Sequence, residues 1–134
     1  MSKIRDGEVL FKEGKLDEAE NLFLCLLSKD PSNAEILNNL GVIHYTRRNV
    51  EQCESYFVRA LGPNKENLDA LLNLADFYEE QGRLEKTAGC LERYLSIEKT
   101  DIDILNRLGL IYKKIDDAGR AEEALKISLK LNPA

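Results

Sequence analysis

Apolar positions recur along this chain at helical spacing, and the whole pattern then repeats. Leu37, Leu40, Ile43 and His44 fall at i, i+3, i+6 and i+7, one face of a helix. The polar stretch Arg47 to Asn49 follows, and Val50, Cys53, Tyr56, Phe57, Ala60 and Leu61 mark a second apolar stripe. Shifted by 34 residues, the sequence lands on itself without insertion. Leu37, Leu71 and Leu105 align, then Leu40, Leu74 and Leu108, then Gly7, Gly41, Ala75 and Gly109. Leu10, His44, Tyr78 and Tyr112 form another column, as do Phe23, Phe57, Leu91 and Leu125, and Leu27, Leu61, Leu95 and Leu129. Each unit therefore reads as two helices. Gly14-Lys15, Gly82-Arg83 and Asp116-Asp117 mark the turn inside a unit. Ser32 with Glu35, and Thr100 with Asp103, have the spacing of capping boxes and predict where first helices begin. Gly62-Pro63 predicts an early end for one second helix.

The columns have physical reasons. Small residues recur where the two helices of a unit approach, at Gly7, Gly41, Ala75 and Gly109 and at Ala19, Cys53, Thr87 and Ala121. A pair of helices this short cannot bury its apolar face alone, so neighbouring units must complete the core. Leu74-Ala75-x-x-Tyr78 followed by Gly82-Arg83 and Leu91, and Leu108-Gly109-x-x-Tyr112, resemble the tetratricopeptide repeat. The resemblance covers the chain as one repeat domain, 1–134, in four repeats: 1–33, 34–67, 68–101 and 102–134. It implies an all-α fold, a right-handed α-α superhelix or solenoid, with first helices lining a concave groove. The first repeat departs from the pattern with Lys3 and Asp6 where the others carry Leu, which suits a water-facing end.

By that resemblance the groove columns include Glu35, Asn38, Asn39, Val42, Tyr45 and Thr46 and their equivalents. Arg5, Asn39, Asn73 and Arg107 share one such column, and an Asn amide both donates to and accepts from a peptide backbone. The expected function is a non-catalytic protein-protein interaction module, an adaptor that binds a peptide of a partner protein. Its expected peptide-binding residues are Arg5, Asn38, Asn39, Asp69, Asn73, Asp76, Glu80 and Arg107. Net charge by repeat runs −2, 0, −4 and +1. The acidic third repeat, with Asp69, Asp76, Glu79 and Glu80, favours a partner with basic residues. An ordinary solvated helix face is the plainer reading of the same charges. The two-lysine clamp that some family members use on a terminal carboxylate is incomplete here, because Asp103 stands where a Lys is required.

Composition narrows the rest. The chain has 134 residues, a formal charge of −5 and 43% hydrophobic residues, which argues against disorder. Its longest apolar run, Leu22 to Leu27, is too short to span a bilayer. No basic stripe or aromatic platform points to nucleic acid. Cys25, Cys53 and Cys90 are odd in number and dispersed, which predicts free thiols in a reducing cytoplasm. No zinc spacing, phosphate loop or catalytic motif is present, so the chain reads as no enzyme, with no cofactor and no metal. His44 fits a packing column. After the last repeat Ile111, Ile115, Leu125 and Leu129 are expected to lie partly uncovered. Two alternatives to peptide binding follow from this: a structural scaffold that self-associates through its C-terminal end, or a regulatory segment of a larger enzyme.

Overall fold

The computed structural model describes residues 3–133, which form eight helices and no strand. In chain order these are α1 (Lys3–Lys12), α2 (Leu16–Lys29), α3 (Ala34–Thr46), α4 (Val50–Ala60), α5 (Leu68–Glu80), α6 (Leu84–Ile97), α7 (Ile102–Lys114) and α8 (Ala118–Leu131). They fall into two compact units, Met1–Asn73 and Leu74–Ala134, with the division inside α5.

The turn inside each hairpin has one design. Gly14, Arg48, Gly82 and Asp116 stand 34 residues apart and all have positive φ, at 79°, 64°, 73° and 61°. The next residue's N–H then returns to a carbonyl five residues back, closing a Schellman turn. These bonds run from Lys15 to Leu10, Asn49 to His44, Arg83 to Tyr78 and Asp117 to Tyr112, at 2.8–2.9 Å. Glycine takes that backbone at no steric cost, whereas Arg48 and Asp116 sustain it at about 1–2 kcal/mol each.

First helices also share a start, one residue later than the spacing of Ser32 and Thr100 predicts. Asn33, Asn67 and Asp101 each accept a hydrogen bond from the backbone N–H three residues on, at Ile36, Ala70 and Ile104 (3.1, 2.8 and 3.1 Å). These side chains stand at the array's own period, whereas Ser32 and Thr100 do not recur at residue 66, which is Glu. At the other junction α4 stops at Ala60, eleven residues long against fourteen for α2, α6 and α8, and Gly62 follows with φ 80°.

In the first unit α1 pairs with α2 and α3 with α4, and α2 and α1 both pack on α3. Phe23 and Leu27 of α2 meet Ile36, Leu37, Leu40 and Ile43 of α3 in one cluster, with Ala19, Ala60 and Ala70. Glycine is required where rings lie flat on a helix. A Cβ on Gly7 would come within 2.5 Å of the Phe23 ring, and one on Gly41 within 2.4 Å of Phe57. In the second unit α7 pairs with α8 and packs on α6. Leu74, Ala75, Leu91, Leu105, Leu108, Ile111 and Tyr112 are buried there. Ile111 was expected to be partly uncovered and is in fact 1% exposed, whereas Leu125 and Leu129 are 56% and 52% exposed. Ile111 is among the buried residues of α7, whereas Leu125, one turn after buried Ala121, borders an open cleft.

Candidate functional site

The polar groups of the first helices are tied to one another. In the first unit Arg5 Nη1 donates to Glu8 Oε1 at 2.7 Å, and Asn39 Nδ2 donates to Glu8 Oε2 at 3.3 Å. One carboxylate thus joins α1 to α3. The hydrogen bond from Arg5 is the main reason that the Glu8 carboxyl lies below its ordinary value, with Asn39 acting the same way against the effect of burial. Asn38 is buried rather than offered to solvent. Its Nδ2 donates to Asn67 Oδ1 at 3.2 Å, and its own Oδ1 accepts from Asn73 Nδ2 at 3.4 Å. Asn67 meanwhile caps α5. Asp69, in the first turn of α5, is exposed.

The second unit shows the same habit with charges. Arg107 Nη2 donates to Asp76 Oδ1 at 2.8 Å and to Glu79 Oε1 at 2.9 Å, and Lys114 Nζ lies 3.6 Å from Glu79. Arg107 is therefore a neutralised cation that ties α7 to α5. Glu80 is exposed beside this cluster in sequence. On α8, Arg120 donates through Nε to Asp117 Oδ2 at 2.6 Å, reaches Glu85 and Glu92 at 3.5 and 3.7 Å, and covers the Tyr112 ring at 4.6 Å. Burial, reinforced by Glu92, pushes the Tyr112 hydroxyl up to about 12. Of the expected peptide-binding residues, the structure joins Asn38 to Asn73 and Arg107 to Asp76. Asn39 is held by Glu8 instead. Glu8 and Asn67 are central to these contacts and escape sequence reasoning, although Asn67 shares the capping column of Asn33 and Asp101.

Other reactive side chains serve packing. His44 is buried, stacks on Tyr56 at 5.5 Å, lies 3.1 Å from Glu20 Oε2 through Nε2, and meets Asn49 Nδ2 at 3.1 Å through Nδ1. The Asn49 amide then donates to Nδ1 and Nε2–H faces Glu20, the tautomer these contacts select. Burial raises the Cys53 and Cys90 thiols to about 12 and about 11, far from a reactive thiolate. No group of three or more His, Cys, Asp or Glu able to hold a metal occurs among the described residues. Two clefts lie in the second unit. One, of about 490 Å³, is bounded by Leu95, Leu108, Tyr112, Arg120 and Ile127; the other, of about 510 Å³, by Leu105, Gly109, Leu110, Lys113, Ala121 and Leu125.

A family model described as TPR repeat matches residues 7–46, and one described as tetratricopeptide repeat matches 68–101 and 102–134. The chain belongs to the tetratricopeptide repeat family. Its repeats make it a protein-protein interaction module in general terms, and the fold is typically non-catalytic. No curated protein matches the sequence. Among solved structures it is similar to a tetratricopeptide repeat protein from Parabacteroides merdae, at 25% identity and a TM-score of 0.84. That similarity covers 98% of this chain and 52% of that one, so the chain spans about half its length. It is also similar to the MamA protein (21% identity, TM-score 0.81, 98% and 72% covered). A third similar structure is YrrB, described as a TPR protein with an unusual peptide-binding site (18% identity, TM-score 0.71, 95% and 66% covered). At those identities MamA and YrrB speak to the fold alone. Among the described residues no helix is long and apolar enough to cross a membrane.

Proposed function

We propose that this tetratricopeptide repeat chain is a non-catalytic adaptor that binds an extended peptide of a partner protein along its first helices. The observation that carries this reading is the row of tethered amides in the first unit, Asn39 on Glu8, Asn73 on Asn38, and Asn38 in turn on Asn67. An amide already fixed by one hydrogen bond keeps its remaining donor and acceptor sites aimed, which lowers the entropic cost of gripping a peptide backbone. Arg5 flanks the row, and Asp69 adds an exposed carboxylate at the start of α5. In the second unit the exposed Glu80 supports a preference for basic residues in the ligand, whereas Asp76 is already balanced by Arg107. The peptide-binding site described for YrrB supplies a precedent on this fold. The three unpaired cysteines support a reducing, cytoplasmic setting.

The test selects 12-residue peptides from a displayed library on the full chain and titrates an enriched peptide by fluorescence anisotropy. Asn39→Ala and Asn73→Ala should each weaken it several-fold or more, by about 1 kcal/mol per lost hydrogen bond. Undiminished affinity in the double variant would refute the amide row as the binding element.

A further inference from the structure

A tyrosine ring that packs where the first two repeats meet is replaced by alanine two periods later. In the first unit Tyr56 of α4 packs against the cluster built by Phe23 and Leu27 of α2 and Leu37 and Leu40 of α3. Its ring stacks on His44, with centroids 5.5 Å apart and planes 12° from parallel, and Arg59 lies over it at 5.5 Å. In the last repeat Ala124 of α8 stands in the place of Tyr56, and Tyr112 in that of His44. Leu95, Leu105 and Leu108 stand for Leu27, Leu37 and Leu40.

The space that Tyr56 fills in the first unit is open in the second. It is the cleft of about 490 Å³ lined by Leu95, Leu108, Tyr112, Arg120, Ala124 and Ile127. Leu27 is buried, whereas its counterpart Leu95 is half-buried. Residues of α6, α7 and α8 all contribute, so the cleft lies where two successive repeats meet and not on the outer face of the last one. What covers this position is shown by the chain itself: in the first unit it is a phenol ring. The charged residues of the cleft are two acids, Glu92 and Glu123, and two bases, Lys99 and Arg120. That balance sets up no net field and favours an uncharged occupant.

We infer that the cleft between α6, α7 and α8 is a binding site for a small uncharged aromatic molecule, a phenol or a single ring of similar shape. Its volume lies within the ~300–1,000 Å³ usual for small-molecule pockets, and apolar walls with a few polar groups are their usual lining. Tyr112 supplies a ring for an aromatic pair, and Arg120, held by Asp117, supplies a guanidinium for a cation–π contact. These are the two kinds of contact that Tyr56 makes with His44 and Arg59. A ring seated there also takes apolar surface of Ile127, which is 40% exposed, out of water. The site is independent of peptide binding along the first helices of the first unit.

The probe is p-cresol, the tyrosine side chain as a free molecule, titrated into the isotope-labelled full chain and followed by amide nuclear magnetic resonance. It should bind saturably, with a dissociation constant on the order of 1 mM for so small a ligand, and shift the amides of Leu95, Leu108, Ala124 and Ile127. Its saturated analogue methylcyclohexanol should bind at least about threefold more weakly, because it lacks the ring contacts. Ala124→Tyr supplies the missing ring, so it should weaken p-cresol at least about tenfold and raise Tm by roughly 3 °C. Ile127→Asp, at an exposed wall that leaves the circular dichroism unchanged, should weaken p-cresol several-fold and tests the site without the larger side chain. N-acetyltyrosinamide, the same ring on a peptide backbone, should bind no tighter than p-cresol. The proposal is overturned by shifts that do not saturate or that fall equally on the exposed Leu24 and Val58, by equal affinity for methylcyclohexanol, or by affinity that survives either substitution. Tighter binding of N-acetyltyrosinamide overturns it as well, since the occupant would then be a peptide side chain.

Discussion

Adding one methyl group to the glycine column should have opposite effects in different repeats. At Gly41 a Cβ would sit 2.4 Å from Phe57 Cε1 and 2.5 Å from Cδ1, and that ring is 2% exposed. The ring must move by about 1 Å to restore ordinary contact, and close-packed surroundings resist it; such overpacking costs about 1–3 kcal/mol. The better helix propensity of alanine returns up to about 1 kcal/mol. Gly41→Ala should therefore destabilise the chain by about 1–2 kcal/mol, or roughly 3–8 °C in Tm. Gly109→Ala meets only Ala124 Cβ at 3.8 Å, an ordinary contact, so the propensity gain stands alone and should stabilise by about 0.5–1 kcal/mol. The third repeat already shows the compensated pair, Ala75 with Leu91. Gly41→Ala combined with Phe57→Leu should accordingly cost less than the sum of the two single changes, by about 1 kcal/mol or more. Urea unfolding followed by far-ultraviolet circular dichroism measures all four variants. Shifts of the same sign at Gly41 and Gly109, or strict additivity of the double variant, would refute the ring-on-glycine reasoning.

Removing the caps Asn33 or Asp101 by substitution to Ala should each cost about 1 kcal/mol in the same unfolding assay, while Ser32→Ala and Thr100→Ala should cost only a few tenths. Acid should weaken the fold through Glu8 and Asp117, whose carboxyls lie below their ordinary values because of hydrogen bonds from Arg5 and from the Arg120 backbone N–H. A lowered folded-state value means that this stability is present above the ordinary carboxylate range, near pH 4, and is lost as pH falls through the lower value. Glu8→Gln and Asp117→Asn should flatten that acid limb of the urea midpoint. Of the thiols, exposed Cys25 should react first with an aromatic disulfide reagent, whereas Cys53 and Cys90, raised to about 12 and about 11 by burial, should react much more slowly.

The helices, the turns and the packing columns are legible in the sequence because each is a local signal repeated at one period. Gly14 and Gly82 announce the turn, and Arg48 and Asp116 can be read only by their alignment with them. The ring on Gly41 is foreshadowed by the paired columns of small and large residues. The polar contacts are another matter. Whether Asn38 points to solvent or into a chain with Asn67 and Asn73 depends on a rotation of a few tens of degrees about the helix axis, which apolar periodicity does not resolve. Arg107 reads as a ligand-binding cation because its acids, Asp76 and Glu79, lie 31 and 28 residues earlier, beyond any spacing rule within a helix. The charge surplus of the third repeat is in good part a match for the bases of the fourth. Ser32 and Thr100 mislead for a smaller reason: two neighbouring residues can both cap, and geometry selects the one at the array's period.

The most direct test of the account is an amide nuclear magnetic resonance map of the full chain titrated with a library-selected peptide. The account predicts shifts concentrated on the first helices of the first unit, at Asn39, Val42 and Asn73, with Cys25 and Val58 on α2 and α4 unmoved. Shifts concentrated on the second helices, with Asn39 and Asn73 silent, would contradict it.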